Sequence, residues 1–264
     1  MFPRLNSSNI ASCLKLDDAI LTSLPRIEIN PNPLVRVEQI TEKFACVVID
    51  DFLRNPGTII DYCCEHADKF SIPERSYPGP LLSVSDDAMS DITRFIRSTM
   101  SKQFSFLKGG MTSSTFLSMV TLQPEDLSNL QRLCHKDPRQ RADRRNFAGL
   151  VYLFADERLG GTGFYRWRDR EQIVKATALD LEDPSAALAF LKERFPTYNQ
   201  PPCYMTESNE IAELLLSIPA RFNRFIFYSG DVPHSATIAM PELLSEDFRK
   251  GRLTLNLFAS VVPR

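Results

Sequence analysis

Several residue types and patterns are scarce in this chain of 264 residues, and each scarcity argues against a class of function. The formal net charge is only -2, with acidic and basic residues interspersed, so the sequence supplies no cationic surface for nucleic acid or anionic lipid. No apolar run is long enough for a membrane span, and the first residues do not resemble a secretory signal. We therefore expect a cytoplasmic protein that binds neither nucleic acid nor membranes.

Cysteine is sparse and lacks the spacing of a zinc site. Adjacent Cys63 and Cys64 are a poor disulfide pair, so reduced thiols are the simpler interpretation. His66 lies close to both in sequence, but Cys63 belongs to an apolar helical stripe, which favours a structural role over a metal cluster. The six cysteines are Cys13, Cys46, Cys63, Cys64, Cys134 and Cys203.

Glycine is also infrequent, and its densest run does not form a nucleotide-binding loop. Gly160, Gly161 and Gly163 follow a predicted strand, but they lack the spacing of either glycine-rich phosphate motif. A tight turn that returns Phe164 to the core explains these glycines better.

The chain is nevertheless long and apolar enough, at 43% hydrophobic residues, to bury a substantial core in one compact unit. Residues 1–110 are predicted to form an N-terminal portion of strands and helices, which supports a core of residues 111–264. Strands are predicted around Val35 and Val37 and at 44–49, 115–122, 130–135, 147–154, 163–167, 224–228 and 252–262. Helices are predicted at 51–70, 86–104, 184–194 and 207–217. This order favours an α+β, mainly β protein: a double-sheet jelly roll with N-terminal helices packed outside.

The three histidines are the most informative residues, because two of them lie in patterns that suit a metal site. His135 and Asp137 form a His-x-Asp pair whose side chains share one face of a strand. With His234 they make a set of two histidines and one carboxylate, the facial ligand set of non-haem Fe(II) oxygenases. On its own, a His-x-Asp pair is more often a surface loop or a hydrogen-bonded pair.

An arginine in a later strand adds to this interpretation. Arg252, Thr254, Asn256 and Phe258 share one face of the predicted last strand, and leucines occupy the other. A buried guanidinium requires an anionic partner, and a carboxylate-bearing cosubstrate could supply it. An exposed arginine at the end of the strand is the alternative.

The order of these motifs resembles the prolyl-4-hydroxylase-like group of iron(II)/2-oxoglutarate-dependent dioxygenases, and within it an uncharacterised bacterial subgroup. The resemblance covers roughly residues 115–262. It rests on five motifs in family order: His135-x-Asp137, Gly149 to Phe154, Gly160-Gly161 with Phe164, Phe225-Ile226-Phe227 before His234, and Arg252 opening the last strand.

This resemblance implies a double-stranded β-helix of the cupin-like kind, with Fe(II), 2-oxoglutarate and O2 as cofactor and cosubstrates. It implies that His135, Asp137 and His234 bind the iron. Arg252 and Tyr152 would hold the distal carboxylate of 2-oxoglutarate, with Asn256 nearby. The interval from His234 to Arg252 is longer than in many relatives, and its charged residues 242–250 predict an inserted loop or short helix.

The implied activity is hydroxylation, or a related oxidation, of an unidentified protein side chain, peptide or small molecule. Tyr165, Arg166, Trp167 and Arg168 could contact that substrate, although Trp167 as a packed edge aromatic is the favoured interpretation. Two other functions stay open: an inactive jelly-roll module that binds or regulates, and a metal-dependent hydrolase with the same three ligands. The sequence does not indicate an oligomeric state.

Overall fold

A computed structural model describes residues 24–73, 77–84, 90–100, 111–138 and 143–262. The strands are β1 (Leu34–Thr41), β2 (Phe44–Asp50), β3 (Leu81–Val84), β4 (Met111–Val120), β5 (Arg145–Tyr152), β6 (Thr162–Trp167), β7 (Ala212–Ile218), β8 (Phe225–Ser229), β9 (His234–Ala236) and β10 (Arg252–Val261). The α-helices are α1 (Pro56–Glu65), α2 (Ser90–Phe95), α3 (Arg170–Glu182) and α4 (Pro184–Arg194). Short 3-10 helices lie at Ala67–Lys69, Pro124–Asp126, Leu130–Arg132, Glu157–Leu159, Pro196–Asn199 and Pro241–Leu243, and a π-helical turn at Ile96–Met100 follows α2.

The strands form two sheets whose order defines the fold. The large sheet has the order β1-β2-β8-β5-β10-β4-β3, and the small sheet has the order β7-β6-β9. A bridge between His135 and His234 adds one more segment beside β9. From β4 onward the chain passes repeatedly between the large and small sheets, and all pairings are antiparallel. This is a double-stranded β-helix, as predicted.

Both faces of the large sheet are buried. Leu253, Leu255 and Leu257 of β10 point to one face, where they join a core with Ile59 of α1 and Ile92 of α2. The residues that alternate with these leucines point toward the small sheet, because side chains of a strand alternate between its faces. The N-terminal helices therefore pack outside the barrel, as predicted.

The barrel interior between the sheets is lined largely by aromatic and aliphatic side chains. Tyr152 of β5 and Tyr228 of β8 lie there with Phe154 and Phe164. On the outer side of the small sheet, α3 and α4 pack against Tyr165 of β6 and neighbouring residues. The molecule thus has helices on the outside of both sheets.

The predicted strand at 130–135 is wrong. A 3-10 helix occupies Leu130–Arg132, and only His135 makes a bridge to another strand. The apolar run of this segment is short, and short apolar runs do not distinguish a strand from a buried helical turn.

The predicted helix at 207–217 is also wrong, because β7 occupies Ala212–Ile218 and pairs with β6. The leucines Leu214, Leu215 and Leu216 form an apolar run that fits a helix or a strand, and pairing with the neighbouring strand β6 favours the strand.

The helix α3 and the strand β3 were not predicted. Asp169 caps α3 by accepting hydrogen bonds from the backbone of Glu171 and Gln172.

The first N-terminal helix is shorter than predicted. Helix α1 begins at Pro56, as a proline at the first helical position favours, and ends at Glu65 before a 3-10 turn. Of the helix predicted at 86–104, residues 86–89 and 101–104 lie outside the described residues. In the part of the chain that the structure describes, no helix combines the length and apolar character needed to cross a membrane.

Candidate metal centre

The structure brings His135, Asp137 and His234 together. Each offers one ligand atom, and these atoms lie within 4.8 Å of one another. The backbone places them: His135 N–H donates to the His234 carbonyl at 3.0 Å, and His234 N–H donates back at 2.8 Å. Asp137 N–H donates to the Gly230 carbonyl at 2.9 Å, so the His-x-Asp segment is held beside the turn that precedes His234.

His234 is oriented for metal binding by its own backbone. Its Nδ1 lies 2.9 Å from the Val232 carbonyl, and this contact requires Nδ1 to carry the proton. The lone pair is then on Nε2, which lies 3.6 Å from Asp137 Oδ1. A ring nitrogen fixed by a carbonyl in this way is the usual arrangement of a histidine ligand.

Asp137 is buried, at 8% exposure, and its Oδ2 has no hydrogen-bond partner. Burial raises the pKa of this carboxyl to about 6. Gly230 makes room for it: a Cβ on Gly230 would lie 2.4 Å from Asp137 Oδ2. A buried carboxylate oxygen without a partner is costly, and a bound cation would remove that cost. The three side chains therefore fit a divalent metal ion.

Both histidines favour the neutral form that metal binding needs. Burial lowers the pKa of His234 to about 4. Desolvation and then the neighbouring His234 ring also lower the pKa of His135, although this residue is exposed. The geometry explains why the pKa of His135 is lowered. The His135 and His234 rings have centroids 4.6 Å apart, so two protonated rings would repel each other.

Arg252 lies at the start of β10, on the barrel face of the strand, and is 4% exposed. Its Nε donates to the carbonyls of Leu159 and Gly160, and its Nη2 donates to the carbonyl of Gly161 at 3.0 Å. Its guanidinium also lies 5.6 Å from the centre of the Phe154 ring. Among the described residues no carboxylate pairs with it. The charge of Arg252 is thus buried without an anion.

Tyr152 and Asn256 occupy the same barrel face but make different contacts. The Tyr152 hydroxyl lies 2.8 Å from Thr162 Oγ1, so this side chain joins β5 to β6 across the interior. Burial raises its pKa to about 12. The Asn256 amide donates to Ser118 and Thr254, which places it in a hydroxyl cluster on β4 and β10.

Sequence reasoning missed Tyr228. Its ring meets His234 edge to face at 4.9 Å, it is 2% exposed, and its hydroxyl makes no hydrogen bond to a described residue. Burial and then Asp137 raise the pKa of Tyr228, while Arg252 lowers it. Strand alternation could have revealed it, since Ile226 and Tyr228 alternate with Phe225 and Phe227.

The other candidate groups have structural places. Trp167 donates to the Cys134 carbonyl at 3.1 Å beneath the Lys136 ammonium, and His66 Nδ1 contacts the Tyr62 carbonyl. Gly160 has a φ of +86° and a Cβ there would lie 2.2 Å from a backbone oxygen, as a tight turn requires. Within the described ranges, the cluster of His135, Asp137 and His234 is the one set that could hold a metal ion.

Strand order and side-chain cluster together define a double-stranded β-helix protein with a candidate mononuclear metal centre. The chain belongs to a family of unknown function, DUF6445, whose model matches residues 31–259. No curated protein matches the sequence.

Several solved structures resemble the chain, and two of them illustrate the likeness. One is the non-heme alpha-ketoglutarate-dependent epimerase SnoN from nogalamycin biosynthesis, with a TM-score of 0.41, 9% identity and coverage of 81% of this chain and 76% of SnoN. The other is EvdO2 from Micromonospora carbonacea var. aurantiaca, with a TM-score of 0.41, 12% identity and coverage of 88% of this chain and 95% of EvdO2.

Proposed function

We propose that this protein is a non-haem Fe(II)- and 2-oxoglutarate-dependent oxygenase that hydroxylates, or otherwise oxidises, a small molecule or a protein side chain. The observation that carries the proposal is that one barrel contains two buried charged groups, each without a partner of opposite charge among the described residues. Asp137 offers a buried carboxylate oxygen without a partner, and Arg252 offers a buried cation without an anion. A divalent cation and a dicarboxylate would satisfy both.

His135, Asp137 and His234 would hold the iron, since two neutral imidazoles and one carboxylate leave positions open for cosubstrate. The bound iron, with 2-oxoglutarate and O2, supplies the oxidation. The protein orients the reactants and keeps water out. Phe154, Phe164 and the packed interior around them provide the dry surroundings.

Arg252 would hold the distal carboxylate of 2-oxoglutarate through the guanidinium edge that its backbone contacts leave free. The Tyr228 ring contacts His234 and its hydroxyl has no hydrogen-bond partner among the described residues, so it would donate to a ligand beside the metal. Tyr152 is held in the barrel interior by the hydrogen bond between its hydroxyl and Thr162. Burial raises the pKa of Tyr152 more strongly than Arg252 lowers it. These roles extend what the sequence resemblance implied for Arg252 and Tyr152.

Replacing Arg252 tests the proposal against its alternatives. In Arg252→Gln we expect 2-oxoglutarate to bind at least about tenfold more weakly, because a hydrogen bond to a charged group contributes roughly 1.5–3 kcal/mol. Calorimetry on Mn(II)-loaded protein measures this loss. Mn(II) affinity should stay unchanged, since Arg252 does not contact the three ligands.

Arg166→Gln is the matched control, because Arg166 is an exposed arginine paired with Glu213. Thermal unfolding shows whether each variant is folded, since Arg252→Gln loses the hydrogen bonds to the carbonyls of Leu159, Gly160 and Gly161. A hydrolase or a binding module predicts no loss of 2-oxoglutarate binding in a folded Arg252→Gln variant. That result, or wild type that binds metal but not 2-oxoglutarate, would overturn the proposal.

A further inference from the structure

Three buried polar atoms without hydrogen-bond partners lie close together at one end of the barrel. They are Arg144 Nε, Asn146 Oδ1 and Ser260 Oγ. Asn146 is 5% exposed and Ser260 is 4% exposed. With Thr112 we call these residues the rim cluster. Buried polar groups are nearly always paired in folded proteins, so three unpaired atoms in one place need an explanation.

The strand register gathers the rim cluster. Ser260 of β10 lies between Thr112 of β4 on one side and Asn146 of β5 on the other. Ser260 shares the barrel face of β10 with Arg252, Thr254 and Asn256, because their positions differ by multiples of two. Directly paired residues on one face have Cβ atoms roughly 5 Å apart.

Arg144 completes the rim cluster from the residue before β5. Its Nη1 donates to Thr112 Oγ1 at 3.1 Å, so the side chain reaches from β5 toward β4, past the strand that carries Ser260. Its Nε stays unpaired, and no described carboxylate forms an ion pair with it. The guanidinium therefore places beside Ser260 and Asn146 a positive charge that no carboxylate of the described residues pairs with.

The rim cluster adjoins the candidate metal centre. Asn146 Nδ2 donates to the carbonyl of Pro138, the residue after Asp137, at 2.6 Å. Tyr228, which touches His234, pairs in register with Ala148, two residues along β5 from Asn146. Tyr152 and the Arg252 end of β10 lie in the other direction along the sheet. The rim cluster and Arg252 thus flank the metal ligands from opposite sides.

The unpaired atoms specify a ligand chemistry. Arg144 Nε is a charged donor, and Ser260 Oγ can donate or accept. Asn146 Oδ1 is a carbonyl oxygen and therefore accepts, and the donation from Nδ2 to Pro138 fixes which atom of the amide faces the cluster. A matching group is an anion that carries a hydrogen-bond donor on the neighbouring carbon. We propose that the rim cluster binds the carboxylate end of an α-amino or α-hydroxy acid substrate. Arg144 and Ser260 hold the carboxylate, and Asn146 accepts from the amine or hydroxyl.

This proposal rests on the proposed function, because it assigns the substrate of that activity. Substrate binding can nevertheless be measured without turnover. The probes are the twenty free L-amino acids and a set of L-2-hydroxy acids, each compared with the amide and the decarboxylated analogue. Saturation-transfer NMR and calorimetry on Zn(II)-loaded protein measure binding. We expect at least one acid to bind, and its decarboxylated analogue to bind at least about tenfold more weakly.

The variants separate the rim cluster from general charge effects. Arg144→Gln should weaken binding of that acid at least about tenfold, and Ser260→Ala severalfold, with the metal affinity unchanged. Arg145→Gln is the matched control, since this exposed neighbour points to the other face of β5. Thermal unfolding shows that each variant is folded.

The outcomes distinguish this proposal from the proposed function. If an acid binds in a way that depends on Arg144, but the protein does not bind 2-oxoglutarate, the result supports acid binding by the rim cluster and contradicts the proposed oxygenase activity. Binding of 2-oxoglutarate, with no acid bound or with an acid insensitive to Arg144→Gln, would keep the oxygenase and overturn the rim cluster.

Discussion

At the scale of single residues, the candidate metal centre depends on a residue without a side chain. Gly230 faces Asp137, and even a methyl group there would lie 2.4 Å from Oδ2 and 2.9 Å from the Asp137 Cβ. The carboxylate cannot move away from such a methyl group, because the backbone N–H of Asp137 donates a hydrogen bond to the carbonyl of Gly230.

Gly230→Ala should therefore displace Asp137 and weaken Mn(II) or Fe(II) binding by at least about tenfold, since disturbing the groups that orient a metal ligand typically lowers metal affinity by about 10–100-fold. Calorimetric titration with Mn(II) checks this. Gly57→Ala is the control, because a Cβ there meets nothing within 4 Å. Equal metal affinity in both variants would show that Asp137 is not a ligand.

Scarcity made the two candidate histidine ligands visible in the sequence, and Asp137 was found by its spacing from His135. Tyr228, Gly230 and Arg144 could not be recognised in the same way, because their roles depend on neighbours that are distant in the chain. Gly230 acquires its role from Asp137, which is far away in sequence. Arg144 acquires its role from Thr112 and Ser260, which only the sheet register brings near.

At the scale of elements, one buried ion pair joins the end of β2 to the start of β8. Arg224 donates to both carboxylate oxygens of Asp50, at 2.5 and 3.1 Å, and Arg36 of β1 adds a contact at 2.8 Å. Asp50 is 5% exposed and Arg224 6%. Burial alone would raise the pKa of Asp50, but hydrogen bonds from Arg224 and Arg36 outweigh it and lower the pKa.

Asp50→Asn should lower the free energy of unfolding at pH 7 by about 3 kcal/mol, because it leaves a buried guanidinium without its anion. A lowered carboxyl pKa stabilises the fold above the unfolded pKa near 4, and that contribution is lost as pH falls through the folded value. The variant should therefore lose less stability on acidification than wild type. Urea unfolding at several pH values measures both effects.

Glu38→Gln is the control, because Glu38 makes an exposed pair with Arg36 that contributes at most about 1 kcal/mol. A similar loss in both variants would contradict the role given to Asp50.

The strands of the barrel were largely predictable, and the exceptions have a common cause. The alternation in β10 and the helix at Pro184–Arg194 are strong local signals, and the structure confirms both. The segments at 130–135 and 207–217 carry short apolar runs whose state is set by neighbouring strands, so local patterns could not decide them.

At the scale of the whole molecule, the double-stranded β-helix explains how distant segments form one site. The candidate ligands come from the segment at His135 and from β9, whereas Arg252 opens β10 after a long insertion. That insertion contains the 3-10 helix at Pro241–Leu243, so the charged loop or short helix predicted there is present. The order of motifs predicted the barrel, but the positions of unsatisfied groups within it required the register of both sheets.

The most direct test of the central claim is an anaerobic titration of the protein with Fe(II) and 2-oxoglutarate, followed by visible absorption. We expect the weak metal-to-ligand charge-transfer band to develop in wild type and to be absent in His135→Ala, which loses one of the three ligands. A wild-type protein that binds the metal yet shows no band at saturating 2-oxoglutarate would contradict the assignment of this barrel as a 2-oxoglutarate-dependent oxygenase.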